Sequence, residues 1–200
     1  LSVLGIAREV SALTGSKLKN AEIKRIKERN SHKHPFKITD AEGCGRFAGR
    51  VIRNVNAAAV TPAWMRERLE RAGQRSISAL VDVTNYVMLE MGRPLHVYDQ
   101  DKLRGAIDVR WGRAGEKVLL LNGQTVDVDP AVLCIADDSG PIGLAGIMGG
   151  ETTKAETTTR NLFLESAFFF PEAIAGRARR YNFASDASHR FERGVDFESN

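Results

Sequence analysis

His96 and Glu165 are two titratable side chains that could serve in proton transfer or hydrogen bonding at a site. A histidine exchanges a proton near neutral pH, and a carboxyl group does so when its surroundings shift its pKa. Taken in isolation, His96 is typical of a structural histidine bonded near a turn. Glu165 follows the apolar residues 162–164 and is typical, in isolation, of a strand-end residue paired with a backbone group or an arginine. Neither residue predicts a catalytic site by itself.

The other residues that could do chemistry form no recognisable catalytic or metal-binding motif. Ser188 and His189 are adjacent in sequence, but a catalytic triad needs side chains that converge in space. His189 and Glu192 lie one helical turn apart, which favours an ion pair or a helix cap because no third metal ligand accompanies them. Gly149-Gly150 is too short for a phosphate-binding loop and is typical of a turn or bulge. We therefore expect neither a metal nor a cofactor.

Composition and charge indicate a folded protein without a membrane segment. The chain has 200 residues, 42% of them hydrophobic and 27% charged, and the sequence has no low-complexity tract. No apolar run approaches the ~20 residues of a membrane helix, and the first residues lack a signal-peptide layout, so we expect a cytoplasmic protein. The missing initiator methionine suggests a fragment. Cys44 and Cys134 have no C-x-x-C spacing, which favours buried free thiols.

The first 40 residues are basic. They contain nine Lys or Arg against four Asp or Glu, so the remainder of the chain is close to neutral within a net charge of +4. This balance is compatible with an RNA partner and equally with a solvated helix face.

Apolar spacing predicts four helices. The first covers residues 3–13 with Gly15 as its C-terminal cap, and an exposed basic linker follows over 17–37. The second begins at Pro62, with Thr61 as N-cap, and ends before Gly73. The third covers 78–90 and the last 171–180. Their predicted buried faces are Trp64, Met65, Leu69 and Ala72 in the second helix and Leu80, Val83, Val87 and Met91 in the third.

Short alternating or apolar runs predict seven strands, and the pair Asn122-Gly123 predicts a tight hairpin between two of them. The predicted strands cover residues 45–55, 107–111, 117–121, 124–128, 132–136, 142–147 and 161–165. Helices and strands in this irregular order indicate an α+β fold with a mixed, largely antiparallel sheet, flanking helices and a short N-terminal helical appendage. We place the start of the compact domain at residue 38.

Four sequence motifs, each weak alone, occur together in one order. They are VDVTNY at 81–86 with GRPLH at 92–96, IMGG at 147–150, LESAFF at 164–169 and SDASHRFERGVD at 185–196. In this order and spacing they resemble the central editing domain of bacterial phenylalanyl-tRNA synthetase beta subunits. Residues 1–15 also resemble the segment that precedes this domain. The resemblance therefore assigns 38–200 to the editing domain and 1–37 to the tail of a preceding domain.

The resemblance implies proofreading as the function. In this family a catalytic alpha subunit charges tRNA(Phe), occasionally with tyrosine, and the editing domain of the beta subunit hydrolyses the resulting Tyr-tRNA(Phe). The implied partners are the acceptor end of tRNA(Phe), tyrosine as the edited aminoacyl group, and the alpha subunit in a heterotetramer. The resemblance implies no membrane partner, no cofactor and no part of the aminoacylation site.

The resemblance also carries the family's editing pocket onto six positions. These are Arg75, His96, Gly149, Glu165, Ser185 and Ala187. It implies that Glu165 accepts the tyrosine phenol, since phenylalanine would leave a buried carboxylate unpaired. It implies catalytic roles for His96 and Ser185 around the attacking water. Arg75 and His96 would offer donors to the carbonyl, ribose or phosphate of the terminal adenosine.

Three further points belong to this implied pocket. Gly149 and Ala187 are small where added bulk would fill the space for the ring. Ser185 stands where threonine is usual in the family, so the hydroxyl is kept and a methyl is lost. Because no serine or cysteine nucleophile has a plausible base, the pattern favours direct attack by a positioned water, helped by the ribose hydroxyl of the substrate.

Two other functions are compatible with the sequence. A non-catalytic scaffold or tRNA-binding module of the same subunit predicts an occluded pocket and a continuous basic surface. A sensor of free aromatic amino acids predicts the same pocket without ester cleavage. Five arginines near the C-terminus would contact acceptor-stem phosphates unless they form ion pairs within the protein. They are Arg177, Arg179, Arg180, Arg190 and Arg193.

Overall fold

The computed structural model describes residues 1–19 and 23–199, so the predicted linker over 17–37 lies partly outside the described residues. The helices of the described part are α1 (Val3–Thr14), α2 (Ala63–Arg71), α3 (Ala79–Met91), α4 (Pro171–Ile174), α5 (Arg177–Arg180) and α6 (Asp186–Phe191). The strands are β1 (Phe36–Ile38), β2 (Cys44–Ile52), β3 (Leu95–Asp99), β4 (Ile107–Trp111), β5 (Glu116–Leu119), β6 (Thr125–Val128), β7 (Leu133–Asp137), β8 (Gly140–Leu144), β9 (Met148–Gly149) and β10 (Leu162–Phe169). No described helix is long and apolar enough to cross a membrane.

The strands form three sheets. A five-stranded sheet has the order β1-β4-β7-β8-β9, in which β1 and β4 run parallel and the other neighbours antiparallel. A three-stranded antiparallel sheet has the order β2-β10-β3, and β5 and β6 form the predicted hairpin. The predicted α+β fold with mixed, largely antiparallel strands is confirmed, although the strands divide among three sheets. Gly123 in the hairpin turn has a φ of +82°, a conformation that glycine adopts without strain.

The hydrophobic core lies between the two larger sheets and the short helices that follow β10. Buried side chains of β4, β7, β8, β2 and β10 form one continuous cluster with α4, α5 and α6. Cys44 and Cys134 are buried free thiols, as predicted, and burial raises the pKa of each thiol to about 12. Both thiols are therefore protonated and unreactive at neutral pH.

Helix α1 forms as predicted, between the N-cap Ser2 and the left-handed C-cap Gly15. It packs against α3, yet its apolar residues Val3 and Ile6 are 65% and 67% exposed. The described residues of the linker have no helix or strand before Phe36 and are mostly exposed. Strand β1 includes residue 38, where we expect the domain to start. It pairs with β4 of the large sheet.

Helix α2 forms where predicted, but its start was assigned incorrectly. Its N-cap residue is Pro62, which has no side-chain capping bond, while the Thr61 hydroxyl donates to Asp82 in α3. The reason is that Asp82 is fully buried and needs donors for its carboxylate. Trp64 and Ala72, predicted as buried, are exposed.

Helix α3 has the predicted bounds, N-cap Ser78 and C-cap Gly92, but a different buried face. Asp82 and Met88 are buried, whereas Val83 is 46% exposed. Asp82 also accepts hydrogen bonds from the Ser76 hydroxyl and a backbone N–H, so its carboxylate is satisfied inside the protein.

The last predicted helix is interrupted. Residues 171–180 form α4 and α5, separated by Gly176, whose φ of +75° breaks the helical path. Strand β10 runs four residues beyond its predicted end, to Phe169. These two differences place Phe169 and the short helix α6 around the same cavity.

Candidate active site

A cavity of about 200 Å³ lies between β3 and β10 on one side and the β8–β9 turn and α6 on the other. Apolar side chains cover most of its wall, among them Leu144, Ile147, Phe169 and Phe191. Five of the six predicted pocket residues line it. They are His96, Gly149, Glu165, Ser185 and Ala187.

The pairing of β3 with β10 brings together two polar side chains of the cavity, His96 and Glu165. His96 and Glu165 are directly opposite each other in the antiparallel register, so their side chains lie on the same face of the sheet. Tyr98 lies two residues after His96 and therefore shares that face. Its ring contacts the imidazole edge to face, with centroids 4.4 Å apart.

Glu165 is a buried carboxyl group that has Tyr98 as its hydrogen-bond partner in the described part of the chain. It is 7% exposed, and its Oε2 accepts a hydrogen bond of 2.5 Å from the Tyr98 hydroxyl. Burial raises the pKa of Glu165 to about 7, and the bond from Tyr98 opposes part of that rise. Both protonation states of Glu165 are therefore populated at neutral pH.

His96 is a neutral imidazole with a free ring nitrogen. Burial lowers its pKa to about 4, so the ring is uncharged at pH 7. Its Nε2 is buried and has no hydrogen-bond partner within the described part of the chain. An unpaired buried nitrogen is costly in free energy unless a water or a substrate group reaches it.

Gly149 makes room for this imidazole. A Cβ at position 149 would lie 2.3 Å from His96 Cε1 and 2.7 Å from its Nε2, which is closer than any real contact. The absence of a side chain at 149 therefore permits the position of His96 as well as the volume of the cavity.

Ser185 lines the cavity, but its hydroxyl already has two partners. It is the N-cap of α6, where its Oγ accepts from the backbone N–H of Ser188 at 3.0 Å. The same Oγ donates to the carbonyl of Ile147 at 2.6 Å. With its proton committed, Ser185 can take part in water binding only as an acceptor. Ala187 lies half-buried in the first turn of the same helix.

Arg75 is the predicted pocket residue that the structure does not bring to the cavity. It is exposed on the loop between α2 and α3 and is absent from the cavity wall. The preceding residue, Gln74, donates to the carboxylate of Asp186 at 2.6 Å. Arg75 therefore lies beside the start of α6, outside the cavity.

Tyr98 is a cavity residue that the motifs did not single out. It is 2% exposed and is the partner of Glu165. The signal was present in the sequence, because residues 96 and 98 of a strand must share a face. The sequence patterns predict no strand over residues 95–99, where the structure has β3.

The remaining candidates have structural surroundings. Ser188 is buried in the capping box of α6, whereas His189 is exposed. Within residues 1–19 and 23–199, no cluster of three or more His, Cys, Asp or Glu side chains could hold a metal ion. Three of the C-terminal arginines form ion pairs within the protein. These pairs are Arg180 with Asp129, Arg190 with Asp186, and Arg193 with Glu192.

The fold and the cavity define the class of this domain. Residues 43–199 match the family described as the B3/4 domain, and the chain belongs to that family. It is also 60% identical over 197 residues to the Phenylalanine--tRNA ligase beta subunit of Cupriavidus pinatubonensis, covering 98% of this chain and 24% of that protein. The same subunit of Bordetella pertussis is 58% identical over 199 residues, covering 100% of this chain and 25% of that protein. The predicted resemblance to this subunit is confirmed.

A solved structure supports the same fold. An N-terminal fragment of the phenylalanyl-tRNA synthetase beta subunit from Pyrococcus horikoshii superposes with a TM-score of 0.53 over 86% of this chain and 53% of that one. At 13% identity this likeness concerns the fold alone. The chain spans about a quarter of the length of the curated relatives it matches.

Proposed function

We propose that this domain hydrolyses the ester of tyrosine wrongly attached to tRNA(Phe), as the editing domain of a phenylalanine–tRNA ligase beta subunit. The observation that carries the proposal is the buried carboxyl group of Glu165, which lines a largely apolar cavity beside His96, whose buried Nε2 has no partner among the described residues. A partly open cavity at this position also argues against an occluded scaffold domain.

The cavity suits a phenol in size and in polarity. An apolar cavity of ~150 Å³ holds benzene, so about 200 Å³ leaves room for a phenol ring. Glu165 Oε1 has no donor among the described residues, and it is the acceptor that we assign to the phenol hydroxyl. A phenylalanine ring would leave that oxygen buried and unpaired, at a cost of ~1–3 kcal/mol. Each 1.4 kcal/mol corresponds to about tenfold, so this contact alone gives roughly five- to 150-fold preference for tyrosine.

The reaction we assign is the direct attack of water on the ester carbonyl. We assign to neutral His96 the role of accepting a hydrogen bond from the water, which orients a water lone pair towards the carbonyl carbon. Ser185 Oγ offers a second acceptor on the opposite wall. The bond to the ribose oxygen then breaks, the ribose takes the proton, and tyrosine leaves as the free acid.

For the full-length protein we propose tRNA(Phe) and the alpha subunit of the ligase as partners, and the cytoplasm as location. The aminoacylation site would lie outside this chain. Arg75 would contact a phosphate near the tRNA end, because its position beside the start of α6 is outside the cavity but close to it.

The test is deacylation of preformed Tyr-tRNA(Phe) by the complete alpha–beta enzyme, with Phe-tRNA(Phe) as the control substrate. We expect the wild type to clear the tyrosyl ester selectively, Glu165→Ala to lose that selectivity, and His96→Ala to lose rate. Glu67→Ala removes an exposed carboxylate of α2 and should match the wild type. A wild-type enzyme that leaves Tyr-tRNA(Phe) intact would show that the domain is a scaffold or tRNA-binding module instead.

A further inference from the structure

We propose that Tyr98 is a positioning residue for tyrosine recognition, which holds Glu165 by its Oε2 so that Oε1 faces the cavity as the acceptor for the ligand's phenol. This inference rests on the proposed function and assigns a part of the specificity to a residue of β3.

The geometry supports a fixed donor. The Tyr98 hydroxyl lies 2.5 Å from Glu165 Oε2, and the two side chains are 2% and 7% exposed. The Tyr98 ring is held between the His96 imidazole, at 4.4 Å, and the ring of Phe163, at 6.1 Å. A ring that is buried against two aromatic neighbours cannot leave without disturbing this packing.

The contact also selects which oxygen remains for a ligand. A carboxylate has two oxygens and about four acceptor positions, so a bond at Oε2 leaves Oε1 available. Without this bond the terminal torsion of the glutamate side chain is broad, and neither oxygen has a defined direction. The phenol of Tyr98 thus has the same chemistry as the phenol of the proposed substrate, but it occupies the other oxygen.

The bond also influences the protonation of Glu165. The titratable groups that face this carboxyl are Tyr98 and His96 from β3 and Cys44 from β2. His96 and Cys44 are both uncharged at neutral pH, so neither supplies a counter-charge. Tyr98 lowers the pKa of Glu165 against the effect of burial, and its removal shifts that pKa upwards from about 7.

The experiment compares Tyr98→Phe with wild type in the complete alpha–beta enzyme, measuring kcat and KM for Tyr-tRNA(Phe) deacylation from pH 6 to 9. We expect KM to rise by roughly tenfold or more, as for loss of a hydrogen bond to a charged group. We also expect the pH at which the ionisation of Glu165 changes the activity to move to a higher value. Tyr181→Phe is the matched control, because Tyr181 also donates a short bond, 2.7 Å to the Asp127 carbonyl, but lies outside the cavity wall.

A double-mutant cycle separates positioning from a general loss of structure. In a Glu165→Gln background, Tyr98→Phe should change KM and the pH profile little further, and an undiminished effect there would overturn the proposal. An unchanged KM and pH profile in Tyr98→Phe alone would also overturn it. Tighter binding of Tyr-tRNA(Phe) would show that Tyr98 competes with the ligand. If the wild type itself does not edit, the proposed function fails rather than the role of Tyr98 within it.

Discussion

His96 and Glu165 should give this domain two opposite pH dependences of stability that nearly cancel in the wild type. Burial raises the pKa of Glu165 from its ordinary 4.5 to about 7, so between these values the folded state binds more protons than the unfolded one. Stability contributed by protonated Glu165 is full below pH 4.5 and is lost as the pH rises through 7. Burial lowers the pKa of His96 from 6.5 to about 4, so its contribution is full above 6.5 and is lost as the pH falls through 4.

The magnitudes follow from the size of the shifts. One pKa unit corresponds to ~1.4 kcal/mol, so each group changes the free energy of unfolding by up to about 3 kcal/mol across its window. Glu165→Gln removes one dependence and leaves the other. As the pH rises from 4.5 to 7, the free energy of unfolding of Glu165→Gln relative to wild type should therefore rise by up to about 3 kcal/mol. His96→Asn should show the opposite, a relative gain of similar size as the pH falls from 6.5 to 4.

The assay is urea denaturation of the purified chain at fixed ionic strength and at several pH values between 4 and 8, followed by circular dichroism. The slopes of the difference between variant and wild type are the decisive quantity, because other titrating groups cancel in it. Parallel pH profiles for Glu165→Gln and wild type would refute the reasoning, since they would mean that Glu165 titrates near its ordinary value. If the stability differences of the two variants from wild type change with the same midpoint pH, the two side chains instead ionise together as an ion pair.

Three further predictions concern single positions. Gly149→Ala should force the imidazole of His96 aside, costing ~1–3 kcal/mol in urea denaturation and slowing Tyr-tRNA(Phe) deacylation, whereas unchanged values would contradict the tight fit. Asp82→Ala should cost ~1–3 kcal/mol, because it leaves the buried Thr61 hydroxyl and two partly buried donors without their acceptor; a calorimetric melting temperature equal to wild type would disprove this. Gly105→Ala should cost ~1–2 kcal/mol, since residue 105 has a φ of +67°, and denaturant midpoints measure the loss.

The fold was predictable from the sequence where local pattern and tertiary surroundings agree. Asn122-Gly123 predicts a hairpin, which forms. Gly15 and Gly92 end their helices in the left-handed conformation that glycine adopts readily. The pattern failed at Asp82, because hydropathy assigns an aspartate to the surface. Only tertiary structure shows that Thr61 and neighbouring donors make its burial possible.

The site was less accessible to sequence reasoning. His96 and Glu165 are far apart in the chain, and only the β3–β10 register places them opposite each other. Burial sets the direction of both pKa shifts, and burial depends on the whole packed cavity. The resemblance supplied residues that line one cavity, but it could not show that Arg75 lies outside the wall.

The protonation of Glu165 connects stability with selectivity in this site. An apolar wall raises the pKa of the carboxyl, and an ionised carboxylate in such a wall is costly unless donors satisfy it. Tyr98 supplies one donor and leaves the second oxygen to the ligand. In the proposed function a tyrosine phenol would complete that pairing, whereas phenylalanine would leave the charge unpaired or force a proton onto it. The buried carboxyl group that lowers the stability of the domain as the pH rises towards 7 is therefore the same feature that, in the proposed function, would distinguish the two aminoacyl groups.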